Sequence, residues 1–267
     1  VRAAGRQALD ALAAVIIAPE CAACGQVLEQ PSGGPVCEAC WRAIRRFTPP
    51  LCPSCGEPVS PPATAPSLRC PTCRDHERAV ARARAVGPYE GRLRDIIHAF
   101  KYDKRRSLSR RLAALLRDAG GDVLDGADAA VPVPLHWTRR HQRGFNQAAL
   151  LAAGLGLPVV HALRRGRRTR PQVDLPAADR HRNVRGAFSV AWRVRWPWPP
   201  WIRRAGVGDL SGLTVVLVDD VSTTGATLDA CAGVLLAAGV QEVRALTLAR
   251  VASQTRWRRR HRPASWP

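Results

Sequence analysis

The sequence predicts an α/β domain built on a parallel sheet, preceded by a small cysteine-rich domain that needs metal to fold. Three observations carry this reading. Eight of the nine cysteines stand in four C-x-x-C pairs before residue 74. Beyond residue 78, short apolar runs alternate with segments of helical periodicity, the pattern of strands and helices in turn. One of those runs, Leu213–Val218, is nearly continuously apolar and stops at two adjacent acids, as a central parallel strand does.

The pairs are Cys21/Cys24, Cys37/Cys40, Cys52/Cys55 and Cys70/Cys73, separated by twelve, eleven and fourteen residues. Each pair lets two thiolates converge on one ion, and two pairs complete a closed tetrahedral site of the kind that holds structural zinc. Sequential pairing, Cys21, Cys24, Cys37, Cys40 and then Cys52, Cys55, Cys70, Cys73, is the simplest. An interleaved cross-brace uses the same residues, and spacing leaves both open. Gly25 and Gly56 each follow a second cysteine, where a knuckle turn favours positive φ. Disulfides or a redox motif fit four regular pairs poorly, and iron–sulfur binding fits less well than zinc. Residues 18–75 are rich in proline and poor in large apolar groups, so they build no core without metal.

Ahead of the first pair, Leu9–Ala18 reads as a short amphipathic helix rather than an export signal, because Asp10 interrupts the apolar stretch. No apolar run reaches the ~20 residues that span a bilayer, and a cytoplasmic location is expected. Residues 79–87 alternate Arg with small apolar residues and meet Gly87-Pro88, a strand and its turn. Leu93, Ile96, Ile97 and Phe100 mark one amphipathic helix, and Leu108, Leu112 and Leu115 a second. Asp128–Pro134 reads as a buried strand running into a loop, Ala148–Leu155 as a helix, and Phe188–Val190 as a short strand. After the strand at 213–218, a helix over Ala226–Ala238 is stopped by Gly239, and Val243–Leu248 is the last strand. Cys231 shares an apolar helical stripe with Leu228, Leu235 and Leu236, so it is expected to be a buried structural thiol.

The formal net charge is +20, and arginine supplies all but two of the basic residues, Lys101 and Lys104. Residues 1–80 hold eight Arg against seven acids, so nearly the whole excess lies beyond them. Fifteen Arg and two acids fall between Arg139 and Arg204, and six Arg with no acid between Arg250 and Arg262. Arginine suits planar contacts to phosphate, which points to a polyanionic ligand. GC-rich codon usage explains the preference for Arg over Lys but not this clustering.

The motif with the most chemistry is VVLVDDVSTTGATL, Val215–Leu228. A buried strand delivers Asp219 and Asp220 to the edge where ligands bind in open α/β sheets. The loop Ser222, Thr223, Thr224, Gly225, Ala226, Thr227 then opens a helix, with the hydroxyls and free N–H groups of a phosphate cradle. Carboxylates repel phosphate but suit ribose hydroxyls or Mg²⁺, so acids plus cradle point to a ribose 5-phosphate group. The motif is neither a Walker A loop nor a G-x-G-x-x-G turn, and an ordinary capped helix accounts for one hydroxyl, not for two acids and four hydroxyls.

This motif resembles the phosphoribosyl pyrophosphate (PRPP) loop of type I phosphoribosyltransferases. YEGRLRDIIHAFKYDKRRSL, VPVPLHWTRRHQRGFNQAALLA, LRRGRRTRPQVDLPAADRHRNVRGAF and LTLAR narrow the resemblance to the ComF family, associated with natural DNA uptake. The resemblance implies a double zinc ribbon with a helix ahead of it over 1–78, and a phosphoribosyltransferase-like domain over 79–252. Within that domain it implies a hood loop near 164–187, carrying Arg168, Thr169, Gln172, Arg180 and Asn183. It assigns Asp219 and Asp220 to ribose hydroxyls and Mg²⁺, and Ser222 to Thr227 to the 5-phosphate. Arg139, Arg140 and Arg143, in the loop after Val133, fall to pyrophosphate, and Lys101 approaches the same site. Purine-salvage relatives place an Asp where Thr223 stands, so acid–base help toward a nucleobase is not expected. The insertion 191–212 departs from the family pattern: Trp192, Trp196, Trp198 and Trp201 alternate with arginines, a composition that suits either stacking on single-stranded DNA or packing on the domain surface. Residues 253–267 read as a disordered basic tail. The expected activity is PRPP binding with phosphoribosyl transfer. The alternative is a non-enzymatic single-stranded-DNA-binding or adaptor protein, with competence proteins docking on the ribbons.

Overall fold

The computed structural model describes residues 18–59, 68–103, 105–166, 186–191 and 210–251. The helix at 9–18, most of the hood loop, the Trp/Arg insertion and the tail lie outside the described residues, apart from their edges.

The ribbons contribute α1 (Glu38–Arg42) and α2 (Pro71–Asp75), each opening directly on a cysteine. The chain then forms β1 (Arg82–Pro88), α3 (Gly91–Tyr102), α4 (Leu108–Ala119), α5 (Gly121–Leu124) and β2 (Ala129–Pro132). It continues through α6 (Trp137–Arg143), α7 (Gln147–Ala152), β3 (Leu163–Arg165), β4 (Phe188–Val190), β5 (Thr214–Ser222), α8 (Ala226–Leu236) and β6 (Glu242–Arg250). β1, β6, β5 and β2 form one parallel sheet in that order, and β3 pairs antiparallel with β4. The α/β expectation holds.

The period-2 geometry of β5 divides the core. Val216 and Val218 face one layer with Leu93, Ile96, Ile97, Phe100, Leu112, Leu116 and Leu151 of α3, α4 and α7. Val215 and Leu217 face the other, with Leu228, Cys231 and Leu235 of α8 and with Leu163 and Phe188 of β3 and β4. Cys231 is fully buried there, and its burial pushes the thiol well above its ordinary range.

Connections from β2 and β5 run apart. From β2 the chain passes through α7 on the first face and returns as a parallel bridge, Ala130 with Val159, on the outer side of β2. From β5 it passes through α8 on the second face to β6, on the opposite side. Neighbouring strands whose crossovers diverge in this way open a crevice at their carboxyl ends. The β2 end leads to α6, and the β5 end carries Asp219 and the loop behind it.

The first ribbon is part of the same core: Cys21, Leu28, Val36, Cys40, Trp41 and Ile44 pack with the α3–α4 layer. Phe47 N–H donates to Val86 O of β1 at 2.9 Å, and Arg111 pairs with Glu38 while lying over the Trp41 ring. Among the described residues, no helix is long and apolar enough to cross a membrane.

Candidate functional site

Two metal centres come directly from the knuckles. The sulfurs of Cys21, Cys24, Cys37 and Cys40 lie within 4.8 Å of one another, as do those of Cys52, Cys55, Cys70 and Cys73. Pairing is therefore sequential, and the cross-brace is excluded. Cys37 N–H donates to Cys21 Sγ at 3.3 Å, and Cys70 N–H to Cys52 Sγ at 3.4 Å. Burial opposes ionisation of Cys21, but N–H groups of Cys37, Ala23 and Cys24 outweigh it and bring the thiol to about 6. Four converging sulfurs, one already favoured as thiolate, fit structural zinc.

At the end of β5, the two acids point to opposite faces of the sheet. Asp220 is buried toward α3, where Lys101 Nζ meets its Oδ1 at 2.7 Å; both side chains are about nine-tenths buried. Asp219 points toward the α8 layer, under the field of Arg165 on β3, and its Oδ1 accepts the Asp220 N–H at 2.8 Å. Burial first, and then the neighbouring Asp220 charge, raise its carboxyl to about 7, with Lys101 and Arg165 pulling the other way. Burial lowers the Arg165 guanidinium, Arg139 lowers it further, and Asp219 opposes both, so these three groups share one field.

The arginines assigned to a loop stand instead on α6. His136 Nδ1 caps this helix through Thr138 N–H, and Gly144 ends it at φ 74°. Arg143 lies over the Tyr102 ring at 5.2 Å, beside Lys101, and donates to Gln147 Oε1 at 3.3 Å. Arg139 is half-buried and its charge acts on Arg165, whereas Arg140 is exposed. Asn146 ties α7 to β2 by donating to Val133 O at 3.1 Å while accepting from Ala148 N–H. Of the basic groups expected at the site, Lys101 thus meets Asp220 at the end of β5 and Arg143 lies over Tyr102, the next residue of α3, while Arg139 and Arg140 share the short helix α6 with Arg143.

The Ser222–Thr227 loop closes over the β5 end. Gly225 is the N-cap of α8 at φ 85°, and Thr224 Oγ1 accepts the Ala226 N–H of its first turn at 3.4 Å. Ser222 Oγ is buried without a hydrogen-bond partner among the described residues. Sequence reasoning missed Arg78, which donates to Thr224 O at 2.9 Å and pairs with Asp229 of α8 at 2.9 Å. A Cβ at Gly225 would overlap the Arg78 guanidinium and would force an L side chain into a left-handed backbone. Gly225→Ala is therefore expected to destabilise by about 1–3 kcal/mol, read by urea denaturation, and to weaken binding of ribose 5-phosphate in calorimetry. Arg165 lay at the edge of the predicted hood, but no local pattern singles it out, and none marks Arg78.

A phosphoribosyl transferase domain model matches residues 141–262, and a double zinc ribbon domain model matches residues 12–74. The chain is 34% identical over 233 residues to the DNA utilization protein YhgH of Salmonella typhimurium, covering 80% of this chain and 90% of that protein. It is 33% identical over 226 residues to competence protein F of Haemophilus influenzae, with the same coverage. Among solved structures, the allosteric regulatory enzyme of purine biosynthesis matches 56% of this chain and 29% of its own, at 23% identity and a TM-score of 0.34.

Proposed function

Since the chain belongs to the ComF family, which joins a double zinc ribbon to a phosphoribosyl transferase domain, we propose that its β2–β5 crevice binds PRPP or another ribose 5-phosphate ligand. The observation that carries this is the acid pair at the end of β5, directly before a hydroxyl-rich, glycine-turned helix start. Amides and hydroxyls of that turn receive the 5-phosphate, and Ser222 Oγ supplies a buried donor. Arg139 and Arg143 face the position of the pyrophosphate, with Arg140 on the outer rim.

Asp219 and Asp220 would meet the ribose hydroxyls and the Mg²⁺ that accompanies PRPP, since a carboxyl raised to about 7 by burial and then by its neighbour's charge is relieved by a cation. Bound there, the cation supplies charge neutralisation for the phosphates. Lys101 holds Asp220 in place and offers a second positive charge to the leaving group. Transfer to an acceptor breaks the C1–pyrophosphate bond, and the site's arginines stabilise the departing anion by electrostatics.

A second reading, binding of single-stranded DNA, has its own observation. Trp137 is 70% exposed and Tyr102 is 59% exposed, and Arg143 stacks on the latter. Exposed aromatics beside arginines at the crevice rim suit base stacking, and two relatives carry names that refer to DNA use and competence. The eight thiols of the ribbons suit a reducing, cytoplasmic location.

Titration of the zinc-loaded chain with PRPP and Mg²⁺ in a calorimeter tests the first reading, and a pyrophosphate-release screen over nucleobases and DNA separates transfer from binding. A flat titration removes the PRPP reading. Oligonucleotide affinity that fails to fall steeply with salt removes the second.

A further inference from the structure

The second ribbon reaches the phosphate loop along two routes. Its first knuckle turns backbone carbonyls inward onto the sheet: Ser54 O accepts from Ala83 N–H of β1 at 2.8 Å, and Cys55 O accepts from Arg250 Nη1 at 3.4 Å. Arg250 ends β6 directly opposite Ser222 in the β5 register, and Val251 N–H donates to Ser222 O at 2.9 Å. A Cβ at Gly56 would stand 2.6 Å from Ala83 O, so the knuckle and β1 are in close contact.

The second route is Arg78, five residues beyond Cys73, the ribbon's last cysteine. It follows the ribbon's closing helix α2 (Pro71–Asp75) by three residues, so the chain itself ties it to the second metal site. Its guanidinium bonds Thr224 O through Nη2, and Asp229 Oδ2 through both Nε and Nη2. Asp229 Oδ1 also accepts Val80 N–H at 3.4 Å, which fixes the backbone just after Arg78. The guanidinium occupies the space that a Cβ of residue 225 would take. Gly225 and Arg78 thus fit each other, and the loop's left-handed turn is held from behind by a residue anchored to the ribbon.

We propose that Arg78 is a positioning residue for the Ser222–Thr227 loop, and that through it the zinc-loaded second ribbon holds this loop in its ligand-binding conformation. That the loop receives phosphate rests on the function proposed above; that Arg78 and the ribbon order it does not. A flexible loop would order on binding and lose affinity by that cost. Arg78 moves the ordering into the folding of the ribbon.

The test uses the full zinc-loaded chain and hydrogen–deuterium exchange without ligand. Arg78→Ala is expected to speed exchange of amides 222–229 by about tenfold or more, with two zincs per chain retained and β1 exchange unchanged. Arg78→Lys, which keeps the charge but not the three-bond fork, is expected to recover part of the protection. Cys73→Ser, which disables the second site, is expected to speed the same amides, and to add little when combined with Arg78→Ala. Unchanged loop exchange in Arg78→Ala overturns the proposal, as does full additivity of the two substitutions. If Cys73→Ser does not fold, the two Arg78 variants still decide the outcome. A parallel PRPP titration separates the claims: loop exchange that responds while wild-type protein binds no PRPP leaves this inference standing and removes the ligand assignment.

Discussion

Removing zinc from the first ribbon is expected to lower the melting temperature of the whole described body by more than about 10 °C. Cys21 and Cys40 are not isolated from the sheet domain; with Leu28, Val36, Trp41 and Ile44 they belong to the core that α3 and α4 complete. Four thiols without an ion leave these side chains around an unorganised knuckle. Structural zinc in small domains contributes about 10 kcal/mol or more, comparable with the ~5–15 kcal/mol that holds a whole domain. Even half of that corresponds to roughly 10–20 °C in a chain of this size. Cys40→Ser, followed by scanning calorimetry with a colorimetric zinc count, measures it. A variant that has lost one zinc and melts with the wild type would show that the ribbon folds independently of its neighbour.

The two acids of β5 are expected to respond to neutralisation with opposite signs in stability and the same sign in binding. Asp220→Asn leaves Lys101 in a largely buried place without its counter-charge, and breaking such a pair costs about 3–5 kcal/mol. Asp219→Asn removes a carboxylate that the fold disfavours. Its folded value, about 7, stands above the ordinary 3.8, so the folded state binds the proton more tightly. The Asp219 contribution to stability therefore falls as pH rises from about 4 to about 7 and levels off above that. Asparagine still accepts the Asp220 N–H and carries no charge, so Asp219→Asn is expected to gain about 1–3 kcal/mol at pH 8. The gain shrinks as pH falls to 6. Both variants are expected to lose binding of PRPP with Mg²⁺. Urea unfolding at pH 6 and 8, beside calorimetric titration, checks all of this. A destabilised Asp219→Asn at pH 8 would remove the strain argument.

Much of the sheet domain was legible because its information is local. Leu93, Ile96, Ile97 and Phe100 carry a helical period, and all four are buried in α3. The apolar run Leu213–Val218 marked the central strand, although β5 starts at Thr214 and runs on to Ser222, and so takes in both acids. The acid pair and the glycine turn were legible as chemistry before their place was known. Metal pairing was not, because the two arrangements use identical residues. α6 was read as a loop because WTRRHQR has no apolar face; its helix comes from a histidine cap and a left-handed glycine. Arg78 and Arg165 escaped because their partners, Thr224, Asp229 and Asp219, are far away in the chain. Strand order is likewise a property of distant pairing.

That the acids face opposite sides of β5 also limits how this stretch of chain can change in length. Inserting or deleting one residue ahead of Asp219 turns each following side chain to the other face. The carboxylate now paired with Lys101 would then meet the α8 layer, and its neighbour would take the lysine's place, with the composition of the motif unaltered. Substitution in the apolar run before the acids is open to apolar side chains of similar volume, whereas a change in its length exchanges the surroundings of the two carboxylates. The number of residues between Thr214 and Asp219 is therefore as much a component of the site as the acids themselves.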